Sequence, residues 1–245
     1  MPPILFYYWY MKEMRELWPG GLRYAGDAVG TDSLALADFA LSLKAERAVD
    51  LGCGNGILML LLAAAVPGLD VTGVELRAAA AEECRENLRA NGFEGRCRVL
   101  TGDLRGAPLP RGRADLVVAN PPYFPAGSGG VSPDADRAVM RTETVKLPEL
   151  CRRAAELLRP GGAFCLVHRC ERMAQVFAAG AAAGLEPKRL RLLAPDPGRA
   201  PSLFLLELRR GAKPGLVTEP TLFQRGTDGA ETAEYLRICH WEAGT

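Results

Sequence analysis

The sequence contains few side chains of the kinds that bind metals or act as general bases. It has seven cysteines but no C-x-x-C pair, and its two histidines, His168 and His240, lie far apart. Structural zinc sites and disulfide frameworks both need regularly spaced ligands, so we expect no metal and no disulfide. Free thiols are typical of a reducing compartment, which favours a cytoplasmic protein. We interpret both histidines as core or surface residues.

Long apolar runs are also absent. The longest strongly apolar run, Ile57 to Val66, is far shorter than the roughly 20 residues of a membrane-spanning helix, so no membrane partner is expected. With 245 residues the chain is long enough for one large α/β domain or two small ones. Its basic residues are nearly all arginines. Arginine suits bidentate contacts with phosphate, although a GC-rich genome gives the same bias.

From residue 47 onward, apolar strand patterns alternate with helical patterns. Alternation of this kind predicts a mostly parallel sheet with helices on both faces, and an antiparallel edge strand is common on such sheets. The two last strands lack a helix between them, so we expect seven strands with one antiparallel edge strand. The predicted strands are 47–51, 71–75, 96–101, 114–119, 163–168, 188–193 and 202–208, and the helices are 57–65, 77–91, 147–158 and 172–183.

A glycine turn lies where the first of these strands meets its helix. Asp50 is followed by Gly52, Gly54 and Gly56, and Glu75 ends the next strand. Ligands of open parallel sheets bind beyond the carboxyl ends of strands, and a carboxylate there can accept hydrogen bonds from ribose hydroxyls. A dinucleotide-dependent oxidoreductase would instead show G-x-G-x-x-G. A tight turn without any ligand is the plainest alternative.

The turn resembles motif I of class I methyltransferases, which implies a Rossmann-like class I methyltransferase fold. The resemblance implies that the loop holds the methionine part of S-adenosyl-L-methionine (SAM) and that Glu75 binds its ribose. It also implies that Asp103 and Leu104, after the third strand, contact the adenine of SAM. Asp103 alone could equally be a turn former.

Asn120-Pro121-Pro122-Tyr123 follows the fourth strand and indicates methylation of a planar amine. The lone pair of such an amine is delocalised into its ring, so the amine is a poor nucleophile. The side-chain oxygen of Asn120 and the backbone oxygen of Pro121 can accept its two hydrogens and stabilise the charge that develops on nitrogen. Tyr123 offers a face on which a base can stack. We therefore expect Asn120, Pro121 and Tyr123 to be catalytic, with Asn120 also beside SAM.

Several stretches together resemble the bacterial tRNA(valine) adenine-N6 methyltransferase family. The resemblance covers roughly Glu16 to Tyr235 and implies transfer of a methyl group to an adenine of tRNA. It implies that Pro122, Tyr123, Phe124, Arg137 and Arg141 contact the RNA. The stretches that carry it are Leu17–Gly21, Val29–Leu34, Asp50–Gly56, Asn120–Phe124, Arg137 with Arg141–Glu143, Lys213–Leu216 and Thr232–Tyr235.

The N-terminal part is expected to cap the SAM pocket. We divide the chain into an N-terminal segment and helix, 1–45, and one catalytic unit, 46–245. Thr31 could reach SAM, but Thr31 or Asp32 could equally cap the helix that follows. Charged residues later in the chain, Lys188, Arg189 and Arg191, are interpreted as solvated.

Other functions remain compatible with these patterns. The same chemistry could serve guanine N2 of ribosomal RNA or a protein glutamine, and a non-catalytic SAM-binding module is a further possibility. Glutamine methylation normally requires an N-terminal helical domain, and about 45 residues before the first strand are too few for one. Arg137 and Arg141 could be ordinary solvated charges rather than phosphate ligands. A monomer is the expected state.

Overall fold

A computed structural model describes residues 15–17, 21–26, 29–121, 124–125, 142–143 and 145–239, with the backbone alone at 15–17, 124–125 and 142–143. Within this part, thirteen strands and six α-helices alternate along much of the chain. The strands are β1 (Arg15–Leu17), β2 (Leu22–Tyr24), β3 (Arg47–Leu51), β4 (Asp70–Glu75), β5 (Cys97–Thr101), β6 (Ala114–Ala119), β7 (Phe124–Pro125), β8 (Thr142–Glu143), β9 (Leu158–Arg169), β10 (Leu185–Ala194), β11 (Leu203–Arg210), β12 (Val217–Thr218) and β13 (Leu222–Phe223). The helices are α1 (Thr31–Leu41), α2 (Ile57–Ala65), α3 (Ala78–Ala90), α4 (Leu147–Leu157), α5 (Met173–Ala182) and α6 (Ala233–Cys239).

Nine of these strands form one sheet. Its order is β5-β4-β3-β6-β9-β11-β10, and both β12 and β13 pair with the outer side of β10. The five strands from β5 to β9 run parallel, and β11 is antiparallel to both of its neighbours. The mostly parallel α/β sheet expected from the sequence is therefore confirmed.

Two details of the sheet differ from the expectation. It has nine strands rather than seven, because β12 and β13, at two residues each, are too short to leave a periodic pattern. The antiparallel strand lies inside the sheet rather than at its edge. Its residues Phe204 to Leu208 are buried without alternation, as expected for a strand covered on both faces.

Hydrophobic residues form one core on each face of the sheet. Along β6, Leu116 and Val118 belong to the core under α1, α2 and α3, whereas Val117 and Ala119 belong to the core under α4 and α5. This alternation is the period of two that a strand imposes on its side chains. The result is a three-layer sandwich in which the carboxyl ends of β3, β4, β5 and β6 meet at one edge.

Of the three β10 residues that the sequence predicted to be solvated, Lys188, Arg189 and Arg191, the two arginines are not. Arg191 is buried, and Arg189 donates hydrogen bonds to Glu207, Glu219 and the backbone oxygen of Phe39. The register of β10 and β11 places the half-buried Arg189 opposite the buried Glu207, so the two opposite charges neutralise each other. The interpretation was wrong because a single strand pattern cannot show an acidic partner on the adjacent strand.

Among the described residues, no helix combines the length and the apolar character needed to cross a bilayer.

Candidate active site

The glycine turn, called here the glycine loop and consisting of residues 52–56, is fixed to the end of the neighbouring strand. The backbone nitrogens of Gly52 and Cys53 donate to the oxygen of Val74 at 2.8 and 3.1 Å. Gly52 and Gly56 both have positive φ, at +83° and +86°. A Cβ on Gly52 would meet nothing within 4 Å, whereas one on Gly56 would collide with Cys84 of α3. The loop therefore opens on one side and packs against a helix on the other.

Glu75 lies directly beside this loop. Its side chain is buried and accepts hydrogen bonds from the backbone nitrogens of Gly54 at 3.0 Å and Arg77 at 2.9 Å. The structure thus brings together two of the residues that the sequence assigned to one ligand. The carboxylate is also held in one orientation, since its two oxygens have different partners.

The carboxyl group of Asp50, on the adjacent strand β3, differs from that of Glu75 in its hydrogen bonding. Its carboxyl group is buried, and neither oxygen has a hydrogen-bond partner among the described residues. Burial, with a smaller contribution from the negative charge of Glu75, raises the pKa of Asp50 to about 8. A buried polar group without a partner costs free energy, and such groups concentrate at binding sites.

The loop after β5 is held by two arginines that the sequence analysis did not single out. Arg105 donates to the carboxylate of Asp103 from its backbone and from its guanidinium, and these hydrogen bonds lower the pKa of Asp103. Arg153 of α4 is buried and donates to the backbone oxygens of Leu104 at 2.9 Å and Ala107 at 2.5 Å. An arginine spaced in register with the apolar residues of one helix face was the available sequence signal.

Asn120 follows β6 at the same edge of the sheet. Its Nδ2 donates to the hydroxyl of Ser33, in the first turn of α1, at 2.9 Å. Asn120 and Pro121 are half-buried. Ser33 was not among the predicted site residues, because no local pattern links two residues so far apart in the chain.

The structure describes only some of the remaining residues of the tetrad and of the loop after it. Phe124 contributes backbone to β7, which pairs with β8. The other predicted RNA contacts, Pro122, Tyr123, Arg137 and Arg141, lie outside the described residues.

The first turn of α1 differs from the expected cap. Gly30 is the N-cap residue, and neither Thr31 nor Asp32 forms the side-chain cap that the sequence allowed. The hydroxyl of Thr31 instead lies 3.1 Å from that of Tyr235 on α6. The reason is tertiary, since α6 packs beside this turn and supplies a partner that a sequence pattern cannot show.

Asn87 of α3 is the centre of a group of hydrogen bonds outside the expected site. Asn87 is fully buried; it accepts from the nitrogen of Ala25 at 2.6 Å and donates to the oxygens of Ala25 and Asn55 at 3.0 and 2.9 Å. The segment after β2 is thereby tied to the glycine loop. An asparagine in the interior of a predicted helix was the sequence signal for this contact, and Asn87 was not among the predicted site residues.

His168 is buried in β9, which agrees with its interpretation as a core histidine. Burial, with the charges of Arg172 and Arg169, lowers its pKa to about 4. His240 lies outside the described residues. Within those residues, no three histidine, cysteine, aspartate or glutamate side chains are grouped so that they could hold a metal ion.

Sequence comparisons identify relatives over most of the chain. Residues 24–178 match the family model described as "Methyltransferase small domain". The tRNA1(Val) (adenine(37)-N6)-methyltransferase of Tolumonas auensis is 35% identical over 212 residues, 86% of this chain and 87% of that protein. The protein of the same name from Porphyromonas gingivalis is 32% identical over 222 residues, 86% of each chain.

Two solved structures share the fold. A protein of Agrobacterium tumefaciens described as a predicted O-methyltransferase has a TM-score of 0.71 at 24% identity, over 87% of this chain and 98% of its own. The geranyl diphosphate C-methyltransferase of Streptomyces coelicolor, in complex with S-adenosyl-L-homocysteine, has a TM-score of 0.57 at 18% identity, over 72% and 77%. At these identities the likeness concerns the fold alone, and the Rossmann-like methyltransferase fold expected from the sequence is confirmed.

Proposed function

The chain belongs to the methyltransferase small domain family and, within it, to the family of the tRNA1(Val) (adenine(37)-N6)-methyltransferases, and on this premise we propose that it methylates N6 of an adenine in tRNA with SAM as donor. The observation that carries the proposal is the position of Asn120. It follows β6 at the sheet edge that also holds the glycine loop, and its amide is anchored by Ser33.

The residues at this edge fit SAM. An added Cβ on Gly52 or Gly54 would meet nothing within 4 Å, so ligand atoms can approach the backbone of the glycine loop closely. Asp50 presents a buried carboxyl without a partner among the described residues, and Glu75 supplies a fixed carboxylate for a ribose. Asp103 and Leu104 would hold the adenine ring. When bound, SAM supplies a methyl group that is already activated on a positively charged sulfur.

The protein's contribution to the reaction is orientation and hydrogen bonding. Asn120 Oδ1 and the backbone oxygen of Pro121 accept the two hydrogens of the target amine and turn its lone pair toward the methyl group. These two acceptors also stabilise the positive charge that grows on nitrogen as its new bond to carbon forms. The methylated nitrogen then releases one proton to water, so the site needs no strong general base.

The RNA contacts are proposed on the resemblance to the family. Pro122, Tyr123 and Phe124 would flank the target base, with Tyr123 stacking on its face. Arg137 and Arg141 would bind phosphates and help to hold a flipped-out base. Each cysteine among the described residues is free, which supports a reducing cytoplasm as the site of action, and we take the active form to be a monomer.

The proposal is tested by methyl transfer from labelled SAM to total tRNA from a strain that lacks the gene. Nucleoside mass spectrometry should show new N6-methyladenosine with the wild-type protein and none with Asn120→Ala. Label in ribosomal RNA or protein but not in tRNA would overturn the substrate. Label in none of the three, with SAM bound normally, would overturn catalysis itself.

A further inference from the structure

We propose that Ser33 is a positioning residue for methyl transfer, because its hydroxyl anchors the Asn120 amide at the end of β6. The inference rests on the proposed role of Asn120. Its basis is the 2.9 Å hydrogen bond from Asn120 Nδ2 to Ser33 Oγ, which joins the first turn of α1 to the end of β6. The two residues are far apart in sequence, so only the fold brings them together.

The amide of an asparagine needs an external partner to define its orientation. The terminal torsion of this side chain is broad and roughly two-fold, so rotation by half a turn exchanges oxygen and nitrogen at little intrinsic cost. For Asn120 that exchange would turn N–H groups toward a substrate amine that itself donates hydrogens. Two donors facing each other repel, and the charge developing on the amine would lose its acceptor. In the observed arrangement Nδ2 is bonded to Ser33, so Oδ1 is directed to the other side. Because a hydroxyl can donate as well as accept, the part played by Ser33 is to limit rotation of the amide and hold it in place.

Ser33 is suited to act as this partner. The residue is only 7% exposed, so its hydroxyl has little access to water and a bond to protein is the way to satisfy it. Its backbone nitrogen donates to the oxygen of Gly30 at 3.1 Å, within the first turn of the helix. A short side chain on a rigid helical turn can hold an active-site group with little positional freedom.

The helix that carries Ser33 is itself held from two sides. Thr31 meets the hydroxyl of Tyr235 at 3.1 Å, and Asp38 pairs with the guanidinium of Arg237 through two hydrogen bonds of 2.6 and 3.0 Å. Both partners belong to α6. On the opposite side, α1 packs into the core on one face of the sheet, with Leu36 completely buried. These contacts fix the height and rotation of Ser33 relative to β6.

The first test needs no activity. In the wild-type protein, the side-chain NH₂ signals of Asn120, assigned by their loss in Asn120→Ala, should exchange slowly with solvent because one hydrogen is bonded to Ser33. In Ser33→Ala they should shift and exchange at least tenfold faster, while those of other asparagines stay unchanged. Fast exchange in the wild type, or unchanged signals in a folded Ser33→Ala protein, would overturn the inference whether or not tRNA is the substrate.

The second test is kinetic. Ser33→Ala should lower kcat about tenfold, the scale of one misplaced hydrogen-bonding group, and leave the Kd for SAM within about twofold. In the Asn120→Ala background the same substitution should have almost no further effect on kcat, because its influence passes through Asn120. Ser42→Ala, an exposed change at the other end of α1, is the matched control and should leave kcat unchanged.

A merely structural role for Ser33 would give a different pattern. Ser33→Ala would then lower kcat by the same factor in both backgrounds, or would weaken SAM as much as it lowers kcat. Either result would overturn the inference and leave the proposed methyl transfer intact. A wild-type protein without transfer activity would overturn the proposed function instead, and the NMR measurement would still decide the role of Ser33.

Discussion

Both carboxylate oxygens of Glu75 accept hydrogen bonds from the backbone, whereas the carboxyl group of Asp50 has no hydrogen-bond partner among the described residues. The negative charge of Glu75 helps to raise the pKa of Asp50. The two carboxyl groups lie at the ends of adjacent parallel strands beside the glycine loop. Backbone donors thus fix the orientation of one carboxylate, and burial raises the pKa of the other. This difference makes the pair separable by experiment.

The first prediction concerns Asp50 and pH. Below about pH 4 its carboxyl is protonated in the folded and the unfolded chain, so its ionisation does not affect stability there. Between about pH 4 and 8 only the unfolded chain releases the proton, because the folded pKa is raised to about 8. Each pH unit in this window therefore lowers the free energy of unfolding by about 1.4 kcal/mol.

Asp50→Asn should remove this pH-dependent fall in the free energy of unfolding, because asparagine does not ionise. Without SAM, the free energy of unfolding of the variant, relative to wild type, should rise with pH from about 4 and level off above about 8. Denaturant unfolding at a series of pH values measures it. Asp70→Asn, an exposed change at the start of β4, controls for the general effect of removing a carboxylate. A difference between Asp50→Asn and wild type that does not vary with pH would contradict the raised pKa.

The second prediction concerns Glu75. Glu75→Gln keeps the size of the side chain but turns one acceptor into a donor that faces the backbone nitrogen of Gly54 or Arg77. We expect SAM binding, measured by calorimetry, to weaken by about tenfold to a hundredfold, the scale of losing hydrogen bonds to a charged group. Glu86→Gln, exposed on α3, should bind SAM normally. Normal affinity in Glu75→Gln would refute the ribose role.

The third prediction contrasts two glycines of the glycine loop. Gly52→Ala should cost about 1–3 kcal/mol of stability, from its positive φ alone, because nothing lies within 4 Å of the new Cβ. It should nevertheless weaken SAM more than tenfold, since the methyl group would enter the space proposed for the ligand. Gly56→Ala should be more destabilising, because its Cβ collides with Cys84.

Cys84→Ala provides the matched background for that comparison. Removing the sulfur should reduce the cost of Gly56→Ala and leave the cost of Gly52→Ala unchanged. Thermal unfolding of the two parent proteins and the four glycine variants can measure both costs. Equal costs for both glycines in both backgrounds would show that the loop does not have one open and one packed side.

The positions of these residues along the chain were predictable from the sequence because they depend on local patterns. The strand at 47–51 and the glycines after it fixed where Asp50, the glycine loop and Glu75 would meet, since parallel strands bring their carboxyl ends to one edge. The contacts of Ser33 with Asn120 and of Arg189 with Phe39 were not predictable. Each joins residues far apart in sequence, and a hydrogen bond from a side chain to a distant residue leaves no periodic pattern in either segment.

The fourth prediction concerns Asn120. Asn120→Ala should leave SAM binding almost intact and lower turnover about a hundredfold or more, the scale of losing a hydrogen bond that stabilises charge in the transition state. Calorimetry with SAM and single-turnover transfer to tRNA measure the two quantities on the same preparation. Equal losses of SAM affinity and turnover would assign Asn120 to cofactor binding and not to the transfer step.

The last prediction concerns Asn87, which is buried between the segment after β2 and the glycine loop. Asn87→Ala would leave the buried backbone groups of Ala25 and the oxygen of Asn55 without this partner. At about 1–3 kcal/mol for each unsatisfied group, we expect stability to fall by about 3 kcal/mol or more. Asn91→Ala, at the half-buried C-cap residue of α3, should cost less, because water can replace its bonds to Arg23.

Hydrogen exchange distinguishes loss of this contact from general unfolding. In Asn87→Ala the amide of Ala25 should lose protection, whereas amides in the buried strand β6 should change only by the overall fall in stability. SAM affinity should drop as well, because Asn87 joins the N-terminal segment to the glycine loop through Asn55. If the amide of Ala25 stays protected and SAM binds normally, the packing of Leu22 and Tyr24 holds the segment instead, and Asn87 is not needed to hold it.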